Sequence, residues 1–343
     1  MSILSVAIIG AGNIAGGFDE KRFDPASGIY THAGAYRVHG GFSLDMVYDP
    51  DTRRTEEFCR TWNATKAVAS MQEVIDCQFD IVSVCSPDET HFDIVSNLLE
   101  ARTCKTIFVE KPLALTCDQI ERLAQLAEGQ GIQLVVNFQR RNEAVHCEIR
   151  DLIASRPKNL LSVSGYYIKG LRHIGVTLID TIVFLCGYPE AVLTHSRVFN
   201  QEVGDYSYEF ILYFSSFTVS IKTTDSAHFL YNYHIFEIDL LFSDRRMTLI
   251  DTARALREAQ VTDYAYSGVK VMDDRCATLR ETGLKLSMLD AVAYVHAITI
   301  GQTIHNVNTA WSSYDNFLII EKIIESYELG SSKLNFEDGA WRK

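Results

Sequence analysis

The stretch IIGAGNIAGG, residues 8–17, decides the fold. It breaks off the apolar run ILSVAII (3–9), which reads as a strand, and places Gly10, Gly12 and Ala15 in a G-x-G-x-x-A spacing. Gly10 permits a tight turn after the strand. Gly12 has no side chain, so the backbone there can approach a pyrophosphate. A small residue at Ala15 lets the next helix lie close to the sheet. Asn13 and Ile14 open that helix, whose N-terminus faces negative charge. The position directly behind a first strand points to a dinucleotide site. A purely structural glycine turn is the competing reading.

Outward from the loop, apolar runs alternate with helical patterns. FSLDMVYD (42–49), FDIVSVCSP (79–87), KTIFVEKP (105–112) and IQLVVNF (132–138) read as further strands. Between the last two, Thr116 and Gln119 have capping-box spacing. Ile120, Leu123, Ala124 and Ala127 then share one helical face, and Gly129 and Gly131 end the helix. Short apolar strands separated by helices predict a parallel sheet covered on both faces. Asp49 closes the second strand, where an acid takes the adenosine ribose hydroxyls. It follows the glycines at a longer distance than usual, which an insertion at FDEKRFDPASGIY (18–30) before the helix THAGAYRVH (31–39) explains. Like charge at Asp49 opposes a 2′-phosphate and favours NAD; Arg53 and Arg54 keep NADP open. Asp49 as a turn residue before Pro50 is the alternative.

After about residue 150 the texture changes. LLSVSGYYI (160–168), AVLTHSRVF (191–199), YEFILYFSSFTVSIKTT (208–224) and YHIFEIDLLFS (233–243) are long, β-branched and aromatic-rich. They predict an antiparallel sheet with one packed face. Helical patterns at 178–187, 288–300 and 313–330 interrupt and close this half. The domains expected are 1–140 and 141–312. The chain has 343 residues, 47% hydrophobic and 22% charged, with net charge −12. That is room for two cores. The acidic balance argues against nucleic acid as partner. No apolar run approaches the ~20 residues of a membrane helix, and the N-terminus reads as a strand, not a leader. Eight cysteines without a C-x-x-C pair read as buried thiols of a cytoplasmic protein.

The glycine loop, VCSPDETH (84–91), EKPLA (110–114), NFQRR (137–141) and a G-x-x-x-x-D at Gly175 to Asp180 occur in that order. Together they resemble the glucose-fructose oxidoreductase / inositol dehydrogenase / MocA family, closely in the N-terminal half and loosely in the C-terminal half. THAGAY and YYIKGLRHIG resemble a branch among bacterial surface-polysaccharide enzymes. The resemblance implies a Rossmann domain followed by an α/β domain with an open, mostly antiparallel sheet that serves as substrate floor and oligomer interface. It implies that the helix 313–330 returns to the first domain. It also implies hydride transfer between nicotinamide and a sugar, sugar-nucleotide or polyol carbon. Lys111 then lies beside the nicotinamide and the reacting hydroxyl, with Glu110 before it and Pro112 shaping the turn. A lysine at a strand's carboxyl end, partly desolvated, can hydrogen-bond a reacting oxygen. Ser86 and Pro87 line the nicotinamide side, and His91 starts the helix beyond as a cofactor or core residue. Asn137 and Arg140 reach substrate or phosphate. A solvated turn lysine and a solvated arginine are the competing readings.

Many relatives carry D-x-G-x-H-x-x-D. With Gly175 and Asp180 setting the register, His173 stands at the first Asp and Thr177 at the His. A threonine hydroxyl is no general base near neutral pH, so the proton passes to His173, which titrates in the useful range, or to Lys111, with Thr177 as relay. A structural role for His173 stays open. Tyr166, Tyr167 and Lys169 are candidates to face the substrate, and Asp180 to orient its neighbours. No histidine or cysteine spacing suits a metal. The open sheet and FILYFSSFTVSI (210–221) suggest an exposed apolar face, hence a homodimer or homotetramer. The alternative function is a nucleotide-binding sensor or partner subunit that has lost hydride chemistry.

Overall fold

The structure is a computed structural model that describes residues 3–21, 23–229, 235–264, 268–302, 307–337 and 339–342. The chain divides into two compact units. Residues 1–143 and 284–314 form the first; residues 144–283 and 315–342 form the second.

In the first unit the strands are β1 (Leu4–Ile9), β2 (Phe42–Tyr48), β3 (Lys66–Val68), β4 (Phe79–Val84), β5 (Cys104–Val109) and β6 (Gln133–Val136). They lie in the order β3-β2-β1-β4-β5-β6, and every pairing is parallel. This is the dinucleotide-binding order, with its reversal between β1 and β4. Each crossover carries a helix whose ends the sequence marks. Helix α1 (His32–His39) is capped by the Thr31 side chain on the Gly34 N–H and ended by Gly40 at φ 72°. The helix at Cys117–Gln130 is capped by Thr116 on the Gln119 N–H and ended by Gly131 at φ 67°. The insertion preceding α1 is anchored by Asp19, buried at 4% exposure. Its Oδ2 accepts from the Thr31 N–H and hydroxyl at 2.9 and 2.7 Å. Met288, Ala291, Val292 and Val295, on the helix Ser287–Thr299, share one core with Val6, Ile8, Phe108 and Val135.

In the second unit, strands β7 (Leu160–Tyr167), β8 (Ala191–Asn200), β9 (Asp205–Tyr213), β10 (Thr218–Thr223), β11 (Phe236–Phe242), β12 (Arg245–Ile250), β13 (Ala255–Asp263), β14 (Lys270–Met272), β15 (Thr278–Glu281) and β16 (Leu334–Asn335) form a ten-stranded sheet. Its pairings are antiparallel except β10 with β7.

Two expectations change here. The helix expected to return to the first domain spans Ala310–Glu328, and from Asp315 onward it belongs to the second unit. There Asn316 donates to Asp180, and the Thr194 hydroxyl donates to the Ile323 carbonyl at 2.7 Å. Residues 284–314 instead complete the first unit. An amphipathic pattern records that a helix face is covered, not by what. Across β10, β7 and β11 the open sheet face is also polar rather than apolar. Phe210, Leu212, Val219 and Ile221 are buried, and the alternate positions present Ser220 and Lys222. Across β10, β7 and β11 the rows read Lys222–Tyr166–Glu237 and Ser220–Ser164–Asp239. Period-two alternation sends Phe210, Leu212, Val219 and Ile221 to the packed side, while Ile211 and Tyr213 fall on the other face.

Candidate active site

The site is built on the carboxyl edge of the first sheet, where each strand ends in a residue with chemical potential. Gly10 follows β1, Asp49 follows β2, Ser86 follows β4, Glu110 and Lys111 follow β5, and Asn137 follows β6. Backbone bonds beyond the strands hold the row together. Gly10 N–H donates to Tyr48 O, Cys85 N–H to Ile9 O, Glu110 N–H to Val84 O and Asn137 N–H to Val109 O, at 2.7–3.0 Å.

Gly10 sits at φ 91°, and a Cβ there would lie 2.7 Å from the Cys85 and Ser86 backbone. The glycine is needed for close approach as well as for the turn. A Cβ on Gly12 would meet nothing within 4 Å. The space over Gly12 is open, as the approach of a pyrophosphate requires. Residues Asn13–Gly17 continue as a wide π-type turn in which Ala15 is fully buried. Gly16 is the tighter position, since a Cβ there would lie 2.3 Å from the Trp62 indole nitrogen. A pocket beside the loop is bounded by Ala11, Gly12, Asn13, Arg54 and Trp62. Asp49 is 8% exposed, and its carboxylate accepts from the Ala11 and Asp51 N–H groups at 2.9 Å. It pins the glycine loop, and each oxygen keeps a lone pair for a ribose hydroxyl. Arg53 pairs with Asp51 at the surface, so of the two arginines it is Arg54 that lines the pocket.

His91 is fully buried. Its Nδ1 lies 2.7 Å from Pro112 O and its Nε2 2.9 Å from Ser86 O. Both ring nitrogens are thus engaged with backbone, and His91 clamps the loop after β4 to the EKP turn. The Lys111–Pro112 peptide is cis, and Lys111 is half-buried. Glu110, with a side chain 12% exposed, takes His32 Nε2 at 3.0 Å and Asn137 Nδ2 at 2.6 Å, both on Oε1. Burial pushes its carboxyl upward, but the bonds from His32 and Asn137 and the charge of Lys111 outweigh burial and hold it below its ordinary value. Asn137 is 3% exposed, and its Oδ1 has no hydrogen-bond partner within the protein. Arg141, beside Arg140, is a structural arginine, donating to Val307 O at 2.7 Å and stacking on Phe138.

A depressed carboxylate stabilises the fold above its unfolded value, near 4.5, and this contribution fades as pH falls through the lower folded value. Glu110→Gln should therefore lower the melting temperature at pH 7, with the gap to wild type closing below pH about 4.5. A gap unchanged between pH 7 and pH 3.5 would contradict the charged assignment.

In the second unit, the G-x-x-x-x-D stretch forms a π-type turn, Gly170–Gly175, running into the helix Val176–Cys186. His173 is exposed and Thr177 half-buried. Gly175 is needed because a Cβ would press on Leu171 and Tyr167 at 3.0 and 3.2 Å. One expectation is corrected, that of Tyr167, and Lys169 and Asp180 find partners within their own unit. Tyr167 is fully buried; its hydroxyl donates to Tyr208 O and accepts from Tyr208 N–H, so it faces the core. Tyr166, one residue earlier, points to the opposite, open face with Lys222 and Glu237. Lys169, at φ 66°, reaches Glu202 at 2.8 Å. Asp180 is 2% exposed and accepts from Asn316 at 2.8 Å, which makes it a brace inside the second unit.

The sequence reading missed a line of buried groups on the first unit. His32 Nδ1 lies 3.3 Å from Ser83 Oγ, and Ser83 Oγ lies 2.7 Å from the Tyr36 hydroxyl. The available signal was the four-residue spacing of His32 and Tyr36 within THAGAY, which puts both on one helix face. Among the described residues no group of three His, Cys, Asp or Glu side chains is placed to hold a metal ion. Among them, too, no helix is long and apolar enough to cross a membrane. His234 and His305 lie outside the described residues.

The strand order, the glycine loop with open space above Gly12, and the row of strand-end residues define a dinucleotide-binding domain. Residues 4–138 match the family described as an oxidoreductase family with an NAD-binding Rossmann fold. The match to this Gfo/Idh/MocA family covers the nucleotide-binding part of the chain, residues 4–138. D-glucoside 3-dehydrogenase of Escherichia coli (strain K12) is 25% identical over 224 residues, 59% of this chain and 59% of that protein. 1,5-Anhydro-D-fructose reductase of Ensifer adhaerens is 31% identical over 122 residues, 35% of this chain and 36% of that protein. The chain spans less than two thirds of the length of the curated relatives it matches. A solved structure of levoglucosan dehydrogenase, in complex with NADH and levoglucosan, is 18% identical with a TM-score of 0.74. It covers 98% of this chain and 100% of that one. At that identity it speaks for the fold of both halves.

Proposed function

We propose that the chain is a cytoplasmic oxidoreductase that moves a hydride between NAD and a carbon of a sugar, sugar-nucleotide or polyol. The observation that carries this reading is Lys111, half-buried at the end of β5, on the same strand-end row as the glycine loop and beside a carboxylate held ionised. The residues fit the dinucleotide. The loop leaves open space over Gly12 for a pyrophosphate, Asp49 keeps lone pairs for ribose hydroxyls, and Asn137 Oδ1 is a buried acceptor in want of a donor. When bound, the nicotinamide supplies the hydride acceptor or donor. Lys111 hydrogen-bonds the substrate oxygen and stabilises the charge that develops on it. His173 exchanges the hydroxyl proton, with Thr177 as a relay, and Arg140 holds a phosphate or sugar hydroxyl. Asp49 favours NAD, while Arg54 in the adjoining pocket suits a 2′-phosphate and keeps NADP in contention. Assembly as a homodimer or homotetramer through the open sheet is part of the proposal.

The relatives named for glucosides and anhydro-sugars support the substrate class. Thr177, standing where many relatives carry histidine, favours a second reading, a nucleotide-binding sensor or partner without turnover. Reduced-nicotinamide absorbance followed across free sugars, inositols and UDP-sugars separates the two. Turnover on at least one class is expected. Cofactor binding without turnover on any would replace the enzyme by the sensor. A thermal shift with NAD larger than with NADP is expected as well, because a ligand that binds the folded state raises stability. Stabilisation by NADP alone would undo the role given to Asp49.

A further inference from the structure

Glu110 stands next to the proposed working lysine, and a chain of hydrogen bonds reaches it from the protein core. Tyr36, 1% exposed, and His32, fully buried, project from α1 toward Ser83 on β4, also fully buried. The last link has a fixed direction: an ionised Glu110 can only accept, so His32 Nε2 donates to it at 3.0 Å. On the other side of the ring His32 Nδ1 lies 3.3 Å from Ser83 Oγ, which shares a hydrogen bond with the Tyr36 hydroxyl at 2.7 Å. Asn137 Nδ2 meets the same carboxylate oxygen from β6. The contacts run unbroken from Tyr36 to Glu110. The far end is sealed in the core, so the chain offers no exit for protons to solvent. What it does is fix the rotamer and charge of the residue preceding Lys111.

We propose that His32 is a positioning residue for Lys111, acting through Glu110, with Ser83 and Tyr36 holding its ring in place. This rests on the reading of Lys111 as the group that holds the substrate oxygen. A carboxylate pinned on one oxygen gives the lysine a stationary counter-charge, whereas an unpinned one samples several rotamers and carries the amine with it. Misplacement of a reacting group by about an ångström costs on the order of a hundredfold in rate.

The test compares wild type with His32→Ala, His32→Gln, Tyr36→Phe, Glu110→Gln and the His32→Ala/Glu110→Gln double variant. With a substrate from the panel, kcat of His32→Ala should fall roughly ten- to a hundredfold with KM nearly unchanged. His32→Gln, whose amide still donates to Glu110, should recover part of the loss. The double variant should match Glu110→Gln within about twofold, because both remove one coupled unit. Losses that multiply, or His32→Ala within twofold of wild type, overturn the proposal. A second readout needs no turnover. In cofactor-free protein, the pH dependence of Lys111 acylation, followed by mass spectrometry, should shift in Glu110→Gln and in the His32 variants, and less in Tyr36→Phe. An unmoved profile in the folded His32→Gln and Tyr36→Phe proteins overturns the proposal even where His32→Ala fails to fold. If wild type turns over nothing while the acylation profiles shift, the dehydrogenase reading falls and the positioning role stands.

Discussion

Lys111→Ala should lose about a hundred- to ten-thousandfold in turnover while keeping its fold and its affinity for nicotinamide dinucleotide. The range is that of a positioned acid–base group or a hydrogen-bond donor aimed at developing charge. Its selectivity follows from where the residue stands. Lys111 is half-buried at the end of β5, past the last ladder bonds, so truncation removes a charge and little packing. The turn beneath it is held independently: Pro112 is buried, and its carbonyl lies 2.7 Å from His91 Nδ1. The glycine loop and Asp49, to which the proposed function assigns the affinity for the dinucleotide, lie on other strand ends and are untouched. The measurement is steady-state kinetics beside a cofactor titration on the same preparation. Turnover within about threefold of wild type would remove Lys111 from the chemistry and return it to an ordinary turn lysine.

The second large effect separates two glycines of one motif. Gly10→Ala should destabilise the first unit by about 3 kcal/mol, combining the left-handed backbone penalty of about 1–2 kcal/mol with overpacking of similar size. The contact at 2.7 Å is with the Cys85–Ser86 backbone, which has no rotamer to yield. Gly12→Ala should leave the melting temperature of the cofactor-free protein within about a degree, since its Cβ would meet nothing within 4 Å and its φ is −85°. That methyl would instead occupy the space the pyrophosphate needs, and the thermal shift with NAD should shrink or vanish. Calorimetry of the two variants with and without NAD reads both effects. Equal melting temperatures for the two cofactor-free variants would show that the turn tolerates a side chain at Gly10. An undiminished thermal shift in Gly12→Ala would place the dinucleotide elsewhere.

The amino-acid sequence determined by itself whatever depends on short-range pattern. The parallel sheet was legible in apolar runs spaced by capped helices. The places of Gly10, Asp49 and Glu110-Lys111 at strand ends were legible because each follows a strand that the pattern marks. The change of architecture after residue 150 was legible in β-branched and aromatic runs. What only the tertiary structure decided depends on which surface covers which. Tyr167 reads like Tyr166 until the sheet assigns one to the core and one to the open face. Asp180 looks like a site residue until Asn316, 136 positions away, takes its carboxylate. The helix from Ala310 could have covered either half, and FILYFSSFTVSI hides its apolar side against its own unit. His32 met Glu110 across 78 positions, and nothing local announces such a pair. Hydrogen bonds between strands and a crossover helix form only when the chain closes on itself, so their partners are set by topology and not by spacing.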